Sequence, residues 1–242
     1  QIDKAEEADK QNDLSIFQSS DTSSSSTLIT KQPLLSLPGF KLLSVPFTSQ
    51  APEKNWDEPW QDACEEAAVL MLDAYYKGYG LSPLFAKDEI LKMIDLEEKL
   101  GWGSSIEIER VGELVERFIF RTQNTRLTTP GTGGQAINKT QRKATIIENP
   151  TIDDIKRFIA NGQPVLAVAD GKVLPNPHFR NNGPVYHALI IRGYTETEFI
   201  TNDPGTQFGR GFKYKYEDLL NAVHDWNGGD VKNGRKAILV VE

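Results

Sequence analysis

A single cysteine, Cys64, stands in 242 residues, beside two methionines and three histidines. One thiol excludes an intramolecular disulfide framework and any thiolate metal cluster. His178, His187 and His224 are scattered without HExxH or paired spacing, so a tetrahedral zinc site has no donor set. Asp225-Trp226-Asn227-Gly228-Gly229-Asp230 lacks the calcium-loop pattern and its closing glutamate. The glycines of Pro130-Gly131-Thr132-Gly133-Gly134 follow no apolar strand and lead into no Gly-Lys-Ser/Thr ending, which removes a phosphate cradle. No metal or cofactor is implied. Basic residues number 27 against 34 acidic ones and form no dense run, so with a formal charge of −7 nucleic acid is a poor partner. No apolar stretch approaches the roughly 20 residues that cross a bilayer, and no transmembrane segment is expected.

What remains is a chain with 38% hydrophobic and 25% charged residues, enough to bury a substantial core. Residues 1–35 read as a disordered tail, because their polar start and the Ser/Thr run at 19–27 cannot bury enough apolar surface to offset ordering entropy. Such a Ser-rich stretch suits a flexible tether. The sequence starts at Gln1 rather than Met, which leads us to expect a processed amino end, and with the tether an extracellular or surface-tethered bacterial protein.

Residues 36–242 read as one α+β domain, helices first and strands later, with an antiparallel sheet. Residues 42–47 form a short apolar run through Pro46, suited to an edge strand. Helical spacing predicts helices over 87–100, with Ile90, Leu91, Ile94 and Leu96 on the apolar side, and over 105–120. Residues 122–143 read as a polar loop or an irregular strand pair. Thr151 to Asp154 is a capping box opening a helix that closes at Asn161-Gly162. Residues 145–147, 164–169, 186–191, 198–201, 212–216 and 237–241 read as strands, and 217–224 as a short helix.

Cys64 lies in Gln61-Asp62-Ala63-Cys64-Glu65-Glu66-Ala67-Ala68-Val69-Leu70-Met71-Leu72. Asp62 followed by Glu65 is a capping-box-like start, which predicts Asp62 as N-cap and Cys64 at the second helical position. Cys64, Ala67, Ala68, Met71, Leu72 and Tyr75 then form one apolar face, closed near Lys77 by Gly78. A helix N-terminus favours a thiolate. The plainer alternative is a small buried hydrophobe, as most free cysteines are.

A cysteine nucleophile needs an imidazole to take its proton and a third group to hold that imidazole. His187 heads the strand Tyr186-His187-Ala188-Leu189-Ile190-Ile191, and the next strand ends in Asn202-Asp203-Pro204-Gly205. In an antiparallel hairpin the start of one strand lies beside the end of the next, so topology alone brings His187 and Asp203 together. Taken singly, His187 could be a satisfied strand-end histidine and Asp203 a turn residue.

With Val45-Pro46-Phe47-Thr48-Ser49-Gln50, the Cys64-Glu65-Glu66-Ala67-Ala68 helix start and Gly162-Gln163-Pro164-Val165, these residues make the chain resemble the papain-like cysteine peptidases. Within them it is similar to the family-39 group of bacteriocin leader (double-glycine) peptidases and their stand-alone relatives, over roughly residues 42–241. The resemblance implies a papain-like fold with a helical half packed on a β-sheet half. It implies Cys64 as nucleophile, His187 as general base and later acid, Asp203 as orienting carboxylate, and Gln50 as oxyanion donor beside the Cys64 backbone N–H. Gln50 stands further from Cys64 than is usual in the group, so the loop between them folds back, and Gln61 is the competing donor. Glu65 and Glu66 replace the glycine of many relatives and would oppose a thiolate if they faced the sulfur. His178 falls in a loop inserted before the catalytic strand, and His224 on a late helix.

The expected activity is a thiol-dependent peptidase or amide hydrolase acting on a peptide or protein as a monomer. Leader-peptide cleavage is not implied, since no transporter segment accompanies the domain. Transpeptidation, cell-wall amidase action, or peptide binding without catalysis on the same site are the alternatives.

Overall fold

The computed structural model describes residues 37–119 and 143–242. The expected tail lies outside these residues, as does the expected loop at 122–143 apart from Lys143.

Strands β1 (Lys41–Leu42), β2 (Ala144–Glu148), β3 (Val165–Asp170), β4 (Tyr186–Tyr194), β5 (Glu198–Asn202), β6 (Arg210–Lys215) and β7 (Ala237–Val241) form one seven-stranded sheet. Its order is β2-β7-β3-β4-β5-β6, with every pairing antiparallel and β1 added to the end of β4. The inner strands β3, β4 and β7 are buried along almost their whole length, as the Val, Ile, Leu and Ala runs they carry require.

Helix α1 (Cys64–Lys77) is the central support, lying between β4 and the helices α2 (Pro83–Leu100) and α3 (Ile108–Ile119). All residues from Cys64 to Ala74 are buried, not only the predicted face, because α1 is packed on more than one side and its alanines allow close approach. Gly78 closes it in the left-handed conformation, as expected. The start differs from expectation. Asp62 belongs to a short 3₁₀ turn over Trp60–Asp62, the helical N-cap is Ala63 without a side-chain bond, and Cys64 is the first helical residue. Glu65 does not reach back to the Asp62 N–H, which goes to Pro59 O, because its carboxyl turns inward to the Cys64 thiol and the Ile106 N–H.

Helix α2 begins at Pro83, before the predicted start, with Ser82 as N-cap accepting the Phe85 N–H. Its inner face is Ala86, Ile90, Met93 and Glu97, whereas Leu91 is exposed. A buried glutamate at the end of that row displaced the reading towards the leucines. Helix α4 (Ile152–Ala160) carries the predicted Thr151–Asp154 capping box, and α5 (Tyr216–Ala222) ends two residues before His224. The run at 42–47 is strand only at Leu42. Beyond it, Arg192 and Asn202 side chains bond the Leu43, Val45 and Pro46 carbonyls in place of a ladder. Pro46 has no N–H to give to one.

Candidate active site

β4 and β5 do what the hairpin argument requires. His187 Nε2 lies 2.8 Å from Asp203 Oδ1, and both residues are fully buried. Asp203 is held from several sides. Tyr214, from β6, donates its hydroxyl to Oδ2 at 2.5 Å, Asn176 donates its amide to the same oxygen at 3.1 Å, and the Gly205 N–H reaches Oδ1 at 3.0 Å. Burial alone would raise this carboxyl, but the His187 charge and the donated hydrogen bonds outweigh it and hold Asp203 below the usual carboxylate range. The other imidazole nitrogen, His187 Nδ1, is buried without a hydrogen-bond partner. Phe179 meets the ring edge-on, with centroids 5.2 Å apart. Gly205 is required there, since a Cβ on it would lie 2.8 Å from His187 Cε1 and 3.2 Å from Nε2.

Cys64 arrives from the opposite side on α1, only 3% exposed. Its sulfur faces the backbone N–H of Ala188, the residue after His187, which puts it at the head of the strand that carries the imidazole. Its thiol donates to Glu65 Oε2 at 2.8 Å, and Glu65 Oε1 accepts the Ile106 N–H at 3.3 Å. Burial and then the Glu65 and Glu66 carboxylates push the thiol well above its ordinary value, against the Ala188 N–H. The helix-terminus expectation of a ready thiolate is thereby reversed. Desolvation and a facing carboxylate outweigh a terminal dipole worth about 0.3–1 kcal/mol at exposed sites.

Gln50 is anchored by its neighbours. Its N–H and the Ser49 hydroxyl both donate to Pro204 O, at 3.0 and 3.1 Å, and Gln207 donates to Ser49 Oγ and Ala51 O. The segment is thus fastened to the turn that carries Asp203. The Gln50 side-chain amide donates to Trp60 O at 2.9 Å and Gln61 O at 2.8 Å, leaving Oε1 buried without a partner. The loop back from Gln50 to Cys64 therefore closes on Gln50 itself. The Gln61 side chain is exposed and donates to Glu58. A cleft of about 650 Å³ lies above, lined by Gln50, Trp56, Gln61, Phe179, Tyr186 and Gly205 among others.

Neither remaining histidine joins the site. His178 is exposed and packs on Phe208 and Phe212, while His224 contacts its own Ala222 carbonyl. Sequence reasoning missed Tyr214 and Asn176. Tyr214 follows from strand alternation, since it is the buried position between exposed Lys213 and Lys215. Asn176 lies in an irregular loop and has no such signal. Among the described residues no group of three or more His, Cys, Asp or Glu side chains could hold a metal, and no helix is long and apolar enough to cross a membrane.

An α+β fold with this helix-on-sheet arrangement is that of the papain-like cysteine peptidases. The chain belongs to the Peptidase C39 like family, whose model matches residues 42–228, and this membership supports a cysteine peptidase-type function. Among solved structures, it is similar to a C39-like peptidase candidate from Bacillus anthracis, at 15% identity and a TM-score of 0.50, covering 85% of this chain and 98% of that one. That likeness carries the fold. No curated protein matches.

Proposed function

We propose that the chain is a thiol-dependent peptide or amide hydrolase working through Cys64, His187 and Asp203, with Gln50 and the Cys64 backbone N–H serving the oxyanion. One observation carries the reading. His187 is clamped at Nε2 by Asp203 while its buried Nδ1 is left without a partner, on the strand whose head receives the Cys64 sulfur. A buried ring nitrogen without a bond is costly unless a reacting group uses it.

In the reaction, the Cys64 thiol gives its proton to Nδ1 as sulfur attacks the amide carbonyl, and the carbonyl π electrons move to oxygen. The Cys64 N–H, one of the free donors of a helix start, faces that charge. Gln50 joins it by releasing one of its two carbonyls. The imidazolium then protonates the leaving amine as the C–N bond breaks. Water, losing a proton to Nδ1, attacks the thioester, and the released thiolate recovers that proton. Because the resting thiol is neutral, proton transfer accompanies attack.

The polar Ser/Thr run at 19–27 supports a secreted or surface-tethered setting, and a monomer acting on peptide or protein substrates is the working form. The raised thiol beside Glu65 is the observation that favours a second reading, a peptide-binding module of the same fold without turnover. A peptide-library cleavage profile of wild type, Cys64→Ala and His187→Ala separates them. Turnover confined to wild type supports the hydrolase, and no turnover in any of the three overturns it. Mass analysis of products with an added amine distinguishes acyl transfer from hydrolysis.

A further inference from the structure

The thiol of Cys64 has an immediate partner that the reaction above leaves without a task. Glu65 is 2% exposed and places Oε2 2.8 Å from the reacting sulfur. Resting on the hydrolase reading, we propose that Glu65 is a catalytic proton-bearing switch for Cys64. As a neutral carboxyl it donates a hydrogen bond to the thiolate, and as a carboxylate it captures the thiol and silences it.

The surroundings of Glu65 favour such a dual role. Its charged form receives its own N–H, the Ile106 N–H and the field of His187, and among the described residues no lysine or arginine is hydrogen-bonded to it or paired with it. The other titratable groups facing it are acidic: Cys64 and Glu66 on α1, Glu97 on α2, and Tyr186 on β4, whose hydroxyl lies between Ile106 O and Asp225 Oδ1. Burial raises Glu65 to about 7, so both protonation states are populated near neutrality. With Glu65 neutral, the thiol proton passes to His187 Nδ1, and the Oε2 proton stays on Glu65 while bonding sulfur. Once Glu65 ionises, two facing anions cannot coexist in a buried site, and the sulfur keeps its proton.

The test is the rate of Cys64 alkylation by iodoacetamide against pH, on the full chain, for wild type and Glu65→Gln. Glutamine keeps an N–H donor of the same shape and cannot ionise. The wild-type rate is expected to fall as pH rises through about 7, while in E65Q the fall moves to higher pH, so that E65Q exceeds wild type about tenfold at pH 8, one unit above the switch. Superimposable profiles with rapid reaction in both overturn the Glu65 role and leave the hydrolase reading standing. A wild-type cysteine inert at every pH overturns both. A second readout needs no variant. At pH 6, alkylating Cys64 removes the partner of Glu65, so the infrared band of protonated carboxyl groups must shift, and an unchanged band overturns the switch.

Discussion

Tyr214 and His187 grip Asp203 from opposite sides, one at Oδ2 and the other at Oδ1. The Asp203 carboxylate is therefore fixed by β6 as well as by the turn after β5. A hydrogen bond to a charged group contributes roughly 1.5–3 kcal/mol. Tyr214→Phe is expected to lower kcat/KM about tenfold or more while Asn176 still holds Oδ2. Since Tyr214 helps keep Asp203 below its ordinary range, its loss raises that carboxyl. Stability held by the depressed Asp203 is present above the unfolded value and lost as pH falls through the folded one. In Y214F the folded value lies closer to the unfolded one, so the loss is smaller and is complete at a higher pH, which acid-unfolding curves will read.

Gln50 and Gln61 are the two candidates for the proposed oxyanion donor, one buried and anchored by its amide, the other exposed. Gln50→Ala should reduce kcat about 100- to 1,000-fold with little change in KM, the usual effect of removing an oxyanion donor. Gln61→Ala, truncating an exposed side chain, should leave kcat nearly unchanged. Steady-state kinetics on one cleaved peptide decides it, and the reverse pattern would transfer the role to Gln61.

Gly205→Ala tests how tightly the imidazole is seated. The new Cβ meets His187 Cε1 at 2.8 Å and Phe179 Cε1 at 2.9 Å. Displacing a catalytic ring by a fraction of its length costs on the order of 100-fold in kcat, whereas overpacking costs about 1–3 kcal/mol of stability. Kinetics and thermal melting together should show a folded but nearly inactive protein.

Glu66 and Glu97 form a buried carboxyl pair between α1 and α2. Burial raises both, Glu97 to about 8; the Glu97 and Glu65 charges raise Glu66 further, and the Glu65 charge raises Glu97 against the hydrogen bond it receives from Glu66. A carboxyl whose folded value is raised binds more protons than in the unfolded chain, so its stabilisation is complete below the unfolded value and lost as pH rises through the folded one. Wild type should lose stability between about pH 4.5 and pH 8 through this pair. Glu97→Gln should flatten that slope in denaturant titrations run at several pH values.

The hairpin that joins His187 to Asp203 was legible because strand periodicity and antiparallel pairing are local and geometric. Most element types followed for the same reason, and so did the Thr151 capping box. What escaped is tertiary. The inward turn of Glu65 depends on Ile106 and Cys64 meeting it across a helix boundary, and Asp62 and Glu65 make an equally good capping box on paper. The buried end of α2 escaped because Glu97 reads as a solvent residue until Glu66 is placed opposite. Asn176 sits in a loop with no period to read.

Gln50 is bonded through its backbone to the turn after β5 and through its side chain to the turn before α1. It is a rivet between the sheet half and the helical half. A substrate that spreads the cleft strains the side-chain end of that rivet first, because the backbone end is reinforced by Ser49 and Gln207. In the proposed reaction, opening the groove and freeing an N–H for the oxyanion are then the same movement, and the strength of this one amide's grip sets how far the cleft stays closed.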